Sequence, residues 1–156
     1  MNNKNLRKNL AEFLNKALAH ATVKDAINNL KPELRNKQPQ KGIHSVWEIF
    51  EHMRIAQEDI LRYTLDENWK SPKWPDKHWP DNNKLTDKIW NESVQKFFSD
   101  MDELLNLVNN PEIDLTAEIP HGEGRTYLRE LLLIIDHNAY HGGQIIMVRK
   151  LLNDWK

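Results

Sequence analysis

The sequence contains no cysteine among its 156 residues. Disulfide bonds, thiolate metal sites, iron–sulfur clusters and a cysteine nucleophile are therefore excluded. Any chemistry that uses a thiol must take its sulfur from another molecule.

An excess of either charge is also lacking, because 22 lysine and arginine residues are mixed along the chain with 23 aspartate and glutamate residues. Nucleic acid is not an expected partner, since binding to phosphates requires a basic surface. The longest apolar run, Leu131 to Ile135, is far shorter than the roughly 20 residues of a membrane span. The N-terminal segment has no apolar stretch typical of a signal peptide. We therefore expect a cytoplasmic protein without a membrane partner.

Apolar residues recur at spacings of three and four in four long segments, which predicts four long helices. These predicted helices lie around 6–18, 45–66, 86–110 and 126–154. Ser45 is expected to cap the second helix, and Thr22 with Asp25 to cap a short helix after the first one. The first apolar stripe includes Phe13 and Leu18.

The last predicted helix is apolar around much of its circumference, so we expect it to be buried on several sides. Two long crossings separate the last three helices. The length suits one domain over residues 1–156. The predicted fold class is an all-α four-helix bundle with long crossover connections.

The crossing after the second helix carries Trp69, Trp74 and Trp79 among three prolines. Proline excludes regular structure there, yet three tryptophans must pack against something. We expect this loop to cover the helix bundle, with a place at the mouth of a metal pocket or in a dimer contact as alternatives.

Three of the seven histidines can act together. His137 and His141 are four residues apart, so one face of the last helix carries both. His52 lies beside the apolar stripe of the second helix. Three imidazoles on interior faces predict a divalent-metal site with coordination positions left open for water or substrate. The alternative is that these are core or boundary histidines bonded to carbonyl groups or to Asp136.

Other metal motifs fit less well. The last helix lacks the glutamate that follows the first histidine of an HExxH metalloprotease. The Glu-x-x-His spacing of a di-iron carboxylate bundle occurs only from Glu118 to His121, in a segment interrupted by Pro120. Neither class is predicted.

Two segments resemble a known family. The first, from Gly42 to Asp59, contains Gly-Ile-His-Ser-Val-Trp-Glu-Ile-Phe-Glu-His, and the second contains Pro-His-Gly-Glu-Gly-Arg-Thr-Tyr-Leu-Arg-Glu and then Asp-His-Asn-Ala-Tyr-His-Gly-Gly-Gln up to Gln144. They resemble the second and last helices of the DinB-like superfamily of metal-binding four-helix bundles. The two Trp-Pro pairs are similar to those of one branch. The resemblance covers most of the chain from about Ala21 to Trp155.

The resemblance implies that His52, His137 and His141 bind a divalent metal, most commonly zinc or nickel. It also implies a homodimer. The family includes transferases that use bacillithiol or related low-molecular-weight thiols and thiol-dependent isomerases, and many of its members have no known reaction. A small-molecule substrate, with a small thiol as cosubstrate, is the expected partner.

Three hypotheses for function follow. The first is thiol transfer, in which a metal lowers the pKa of a thiol or water, with Glu48, Asp59 and Gln144 orienting ligands or substrate. The second is metal-dependent hydrolysis of an amide or ester. The third is a non-enzymatic, stress-associated protein that binds a ligand or holds a structural metal, with His44 or Glu48 as a fourth ligand.

Overall fold

The computed structural model describes residues 4–81 and 84–155. Within these ranges the chain forms five α-helices and one short 3-10 helix, and no β-strand. The helices are α1 (Lys4–Asn15), α2 (Val23–Ile27), α3 (Val46–Leu65), α4 (Asp87–Asn109) and α5 (Tyr127–Leu151), with the 3-10 helix Pro32–Leu34 before α3. The predicted all-α fold class is confirmed.

The four long helices pack around a common core. α3 contacts both α4 and α5, while α1 contacts α4 and, over a smaller area, α5. The short α2 packs on α5. The core side chains with the least exposure come from α3, α4, α5 and the α4–α5 connection; they include Phe50, Met53, Leu61, Phe97, Leu104, Leu115, Leu131, Ile134 and Ile145. None of the helices in the described ranges is long and apolar enough to cross a membrane.

The start of α3 is fixed by a capping box, as predicted from Ser45. The Ser45 hydroxyl accepts a hydrogen bond from the Glu48 amide at 3.2 Å, and the Glu48 carboxylate accepts one from the Ser45 amide at 2.6 Å. Satisfying these amides sets where the helix begins. The same arrangement holds at Thr22 and Asp25 for α2. His52 consequently lies two turns into α3.

Two apolar stripes are less buried than their composition indicated. α1 ends at Asn15, and Phe13 and Leu18 are 61% and 51% exposed. α5 is buried on several sides, as expected, since α1, α2 and α3 contact it, but Leu132 is 51% exposed and Leu151 52% exposed. The neighbours of α5 cover only part of its circumference, so the apolar residues on the remaining face meet solvent.

Candidate metal centre

The facing sides of α3 and α5 bring three histidine side chains together. His52 comes from α3, and His137 and His141 come from successive turns of α5. One ring nitrogen from each lies within 4.8 Å of the other two. The Nε2 atoms of His52 and His137 are 3.3 Å apart. The three histidines that the sequence analysis grouped therefore lie together in the structure, although His52 and His137 are 85 residues apart in the chain.

Hydrogen bonds fix two of the three rings. The Nδ1 atom of His52 donates to the carbonyl oxygen of His78 at 2.8 Å. The Nδ1 atom of His141 donates to the amide oxygen of Gln144 at 2.7 Å. An acceptor on Nδ1 places the ring proton there and leaves the Nε2 lone pair free. This is how metal-binding histidines are generally oriented in proteins.

Burial keeps the three imidazoles neutral. Desolvation, together with the smaller effects of the neighbouring His141 and His52, lowers the pKa of His137 from 6.5 to about 4. Desolvation is also the main reason why the pKa values of His52 and His141 are lowered. At neutral pH the three rings are therefore uncharged, which is the protonation state that a metal ion requires. The donor set fits a divalent metal cation.

The tryptophan-rich loop lies against this group. The Trp79 ring stacks on the His52 ring with centroids 4.2 Å apart and planes 7° apart, and it also stacks on His44 at 4.3 Å. Trp74 lies 6.3 Å from His52 and remains 65% exposed. The loop packs against α3 of the bundle, as expected, and Trp79 does so beside the histidines. The loop supplies an aromatic wall.

The three additional polar residues predicted to act around the metal have different positions. Gln144 contacts His141 directly. Asp59 contacts the loop, because its Oδ1 accepts a hydrogen bond from the Trp69 indole at 2.7 Å and its Oδ2 lies 3.6 Å from Nε2 of His78. Glu48 caps α3 and lies 3.3 Å from the His44 ring. Among the described residues, the group that can hold a metal ion consists of the three histidines, without Glu48 or His44.

His78 is the residue that sequence reasoning missed. It is 7% exposed although it lies in a loop, and its carbonyl oxygen orients His52. Its ring lies 5.1 Å from that of Trp74. The only sequence signal was its position among the tryptophans, which already had to pack on something. No pattern indicated that a main-chain carbonyl would be the contact.

These observations define an all-α protein with a buried three-histidine group that can hold a divalent metal between two helices. The model of the DinB superfamily matches residues 17–145, which is well over half of the chain. The chain belongs to the DinB superfamily. No curated protein and no solved structure matches it.

Proposed function

We propose that this protein is a divalent-metal-dependent transferase that uses a low-molecular-weight thiol as cosubstrate. The observation that carries the proposal is the buried, neutral three-histidine group, with His52, His137 and His141 as the metal ligands. Three protein ligands are typical of catalytic sites, because they leave coordination positions open. When bound, a divalent cation would supply Lewis acidity and lower the pKa of a thiol.

The chain's own residues support this chemistry in two ways. Nothing in the chain can serve as a sulfur nucleophile, because cysteine is absent. The sulfur must therefore come from a cosubstrate. Trp74 and Tyr140, both well over half exposed, border the histidines and offer apolar surface to a substrate, since the Tyr140 and His141 rings are 4.9 Å apart.

The proposed reaction is a nucleophilic displacement. The thiol loses its proton, the sulfur forms a bond with an electrophilic carbon, and the bond from that carbon to the leaving group breaks with both electrons on the leaving group. The thiol proton balances the charge of the departing group. Stacking on Trp79 and the carbonyl of His78 hold His52 in one orientation throughout.

The experiment compares product formation from a generic electrophile, such as chlorodinitrobenzene, with and without an added small thiol, in protein loaded with zinc or nickel. We expect turnover only with the thiol, loss of turnover with a chelator, and loss in His52→Ala. His20→Ala is the matched control, because His20 is exposed and lies outside the three-histidine group. Equal rates with and without thiol would contradict thiol transfer, and chelator-sensitive ester cleavage without thiol would establish hydrolysis instead.

The proposal includes a homodimer. The apolar residues on the outer face of α5 support it, since Leu132, Met147 and Leu151 are each more than half exposed on one helix. Apolar patches of this kind are typical of association surfaces. Sedimentation of the wild type and of Met147→Glu at several concentrations tests the homodimer. We expect the variant to dimerise more weakly, and a monomeric wild type would contradict the proposal.

A further inference from the structure

A second site lies on a different face of α5. A cavity of about 450 Å³, partly open to solvent, is lined by α1, α4, α5 and the residues that lead into α2. None of the three histidines lines it. Its volume falls within the roughly 300 to 1,000 Å³ of small-molecule sites. The metal-site proposal gives this cavity no role.

The lining of the cavity is mostly apolar, although the buried amide side chain of Asn138 also lies there. Phe97 and Met101 of α4 are buried at its base, and Leu105 and Ile135 form its sides. Protein interiors are normally packed without voids of this size. An apolar space that the chain does not fill is therefore suited to an apolar ligand.

Small residues on α5 keep the cavity open. Gly142 is buried within the helix, and a Cβ atom there would meet only the Val23 methyl group, at an ordinary contact distance of 3.8 Å. Ala139 lies one turn earlier on the same wall. A Cβ atom at 142 is thus accommodated, and because Gly142 lines the cavity, a longer side chain there is expected to extend into the empty space.

The edge of the cavity combines exposed apolar and cationic groups. Phe13 lines the cavity and is 61% exposed, although the apolar stripe of α1 predicted it to be buried. Lys16 and Lys24 are exposed on the same edge, against the single carboxylate of Asp102. Lys16 also contacts Glu12 at 3.1 Å, in an exposed pair that solvent weakens. This edge favours an anionic group attached to an apolar body.

We propose that this cavity binds an amphipathic carboxylate, with its acyl chain between α1, α4 and α5 and its carboxylate near Lys16 and Lys24. A medium-chain fatty acid has this chemistry. The inference does not depend on the proposed metal-dependent reaction, because the cavity and the histidines share no side chain.

The first test is a calorimetric titration of the whole chain with decanoate. We expect saturable binding of one decanoate per chain and at least a tenfold loss of affinity in Gly142→Leu, since displacing about two methylene groups of the ligand suffices for that. Gly143→Leu is the matched control, because Gly143 is exposed and does not line the cavity. If circular dichroism shows that Gly142→Leu fails to fold, Ala139→Phe replaces it.

The second test addresses the charge. The double variant Lys16→Glu with Lys24→Glu should weaken decanoate binding while leaving decanol binding unchanged. Lys8→Glu with Lys150→Glu gives the same change in net charge away from the cavity, and should have little effect.

Three results would overturn the proposal. The first is the absence of saturable decanoate binding, and the second is an equal affinity for decanoate in Gly142→Leu and Gly143→Leu. The third is a decrease in decanoate binding as the protein concentration rises, which would show that a second copy of the chain covers the cavity. Decanol binding as tight as that of decanoate in every variant would overturn the assignment of an anion.

Discussion

Two faces of α5 differ in chemistry although they share the same turns of helix. One face carries His137 and His141 toward α3, and the other carries Ile135, Ala139 and Gly142 toward the cavity. Each residue of a helix is rotated by about 100° from the one before it, so neighbours in sequence point to different surroundings.

The two faces show that buried polar and buried apolar side chains on one helix have different requirements. A buried polar ring must have hydrogen-bond partners, and His141 has Gln144 while His52 has the carbonyl of His78. The cavity face is mostly apolar and has fewer polar groups that need a partner. Hydrogen bonds consequently fix two rings on the histidine face, whereas most side chains of the cavity face have no bond that fixes them.

Asn138 lies between the two faces and ties them to the rest of the bundle. Its Nδ2 donates to Oε1 of Gln57 at 2.8 Å, and Nε2 of Gln57 donates to the carbonyl of Phe97 at 2.8 Å. The chain of bonds joins α5, α3 and α4 in the interior. Buried networks of this type hold elements in one register.

The largest effect is expected from removing a proposed ligand on the histidine face. His141→Ala should lower the affinity for zinc by more than about a hundredfold, because losing a ligand costs more than losing a residue that supports one. Metal content after exchange into metal-free buffer measures this, beside His20→Ala. Stoichiometric zinc in His141→Ala would mean that this face does not bind the metal.

α5 also has residues in the hydrophobic core, which can be compared with its exposed face. Ile145→Ala should lower the free energy of unfolding by about 2–5 kcal/mol, because Ile145 is fully buried and its truncation leaves a void. Met147→Ala, on the exposed face, should change it by less than about 0.5 kcal/mol. Urea unfolding measures both, and similar losses would contradict the described faces of α5.

Gln144→Ala tests whether the hydrogen bond to His141 matters for the metal. We expect the zinc affinity to fall by about ten- to hundredfold, since the ring loses the acceptor that orients it. The fold should be retained, because Gln144 is only partly buried. Competition with a chromophoric chelator gives the affinity, and Gln144→Glu should restore most of it by supplying another acceptor. Unchanged affinity in Gln144→Ala would remove this residue from the site.

The last effect concerns the pH dependence of the metal-free protein, where solvent around the partly exposed His137 reduces the expected change. Burial lowers the pKa of His137 from 6.5 to about 4, so the unfolded chain takes up a proton at a higher pH than the folded protein does. Stability should be fully present above about pH 6.5 and decrease as the pH falls toward about 4. Urea unfolding with a chelator present measures the free energy of unfolding at each pH. Its slope against pH should be smaller in His137→Gln and unchanged in His20→Gln. Identical slopes for all three proteins would contradict burial of His137.

Much of the fold followed from local patterns. Ser45 is the N-cap of α3, as predicted, and Thr86 and Thr126, near which α4 and α5 were predicted to begin, are the N-caps of those helices. The limits of the first helix were less well predicted, because the apolar residue Leu18 continued the stripe beyond Asn15, where the helix ends. Helix ends without a strong cap leave no comparable signal.

The sequence by itself determined which residues form helices and which side chains share a face, including His137 and His141, because capping and the 3.6-residue period act within one segment. It also supplied His52 as a candidate, through its place beside an apolar stripe and through family resemblance. Only the tertiary structure decided that His52 meets the other two, that the His78 carbonyl orients it, and that α1, α4 and α5 leave a cavity edged by Phe13. These features depend on how separate helices and a long loop pack together, and the periodicity of one segment carries no information about its distance from another.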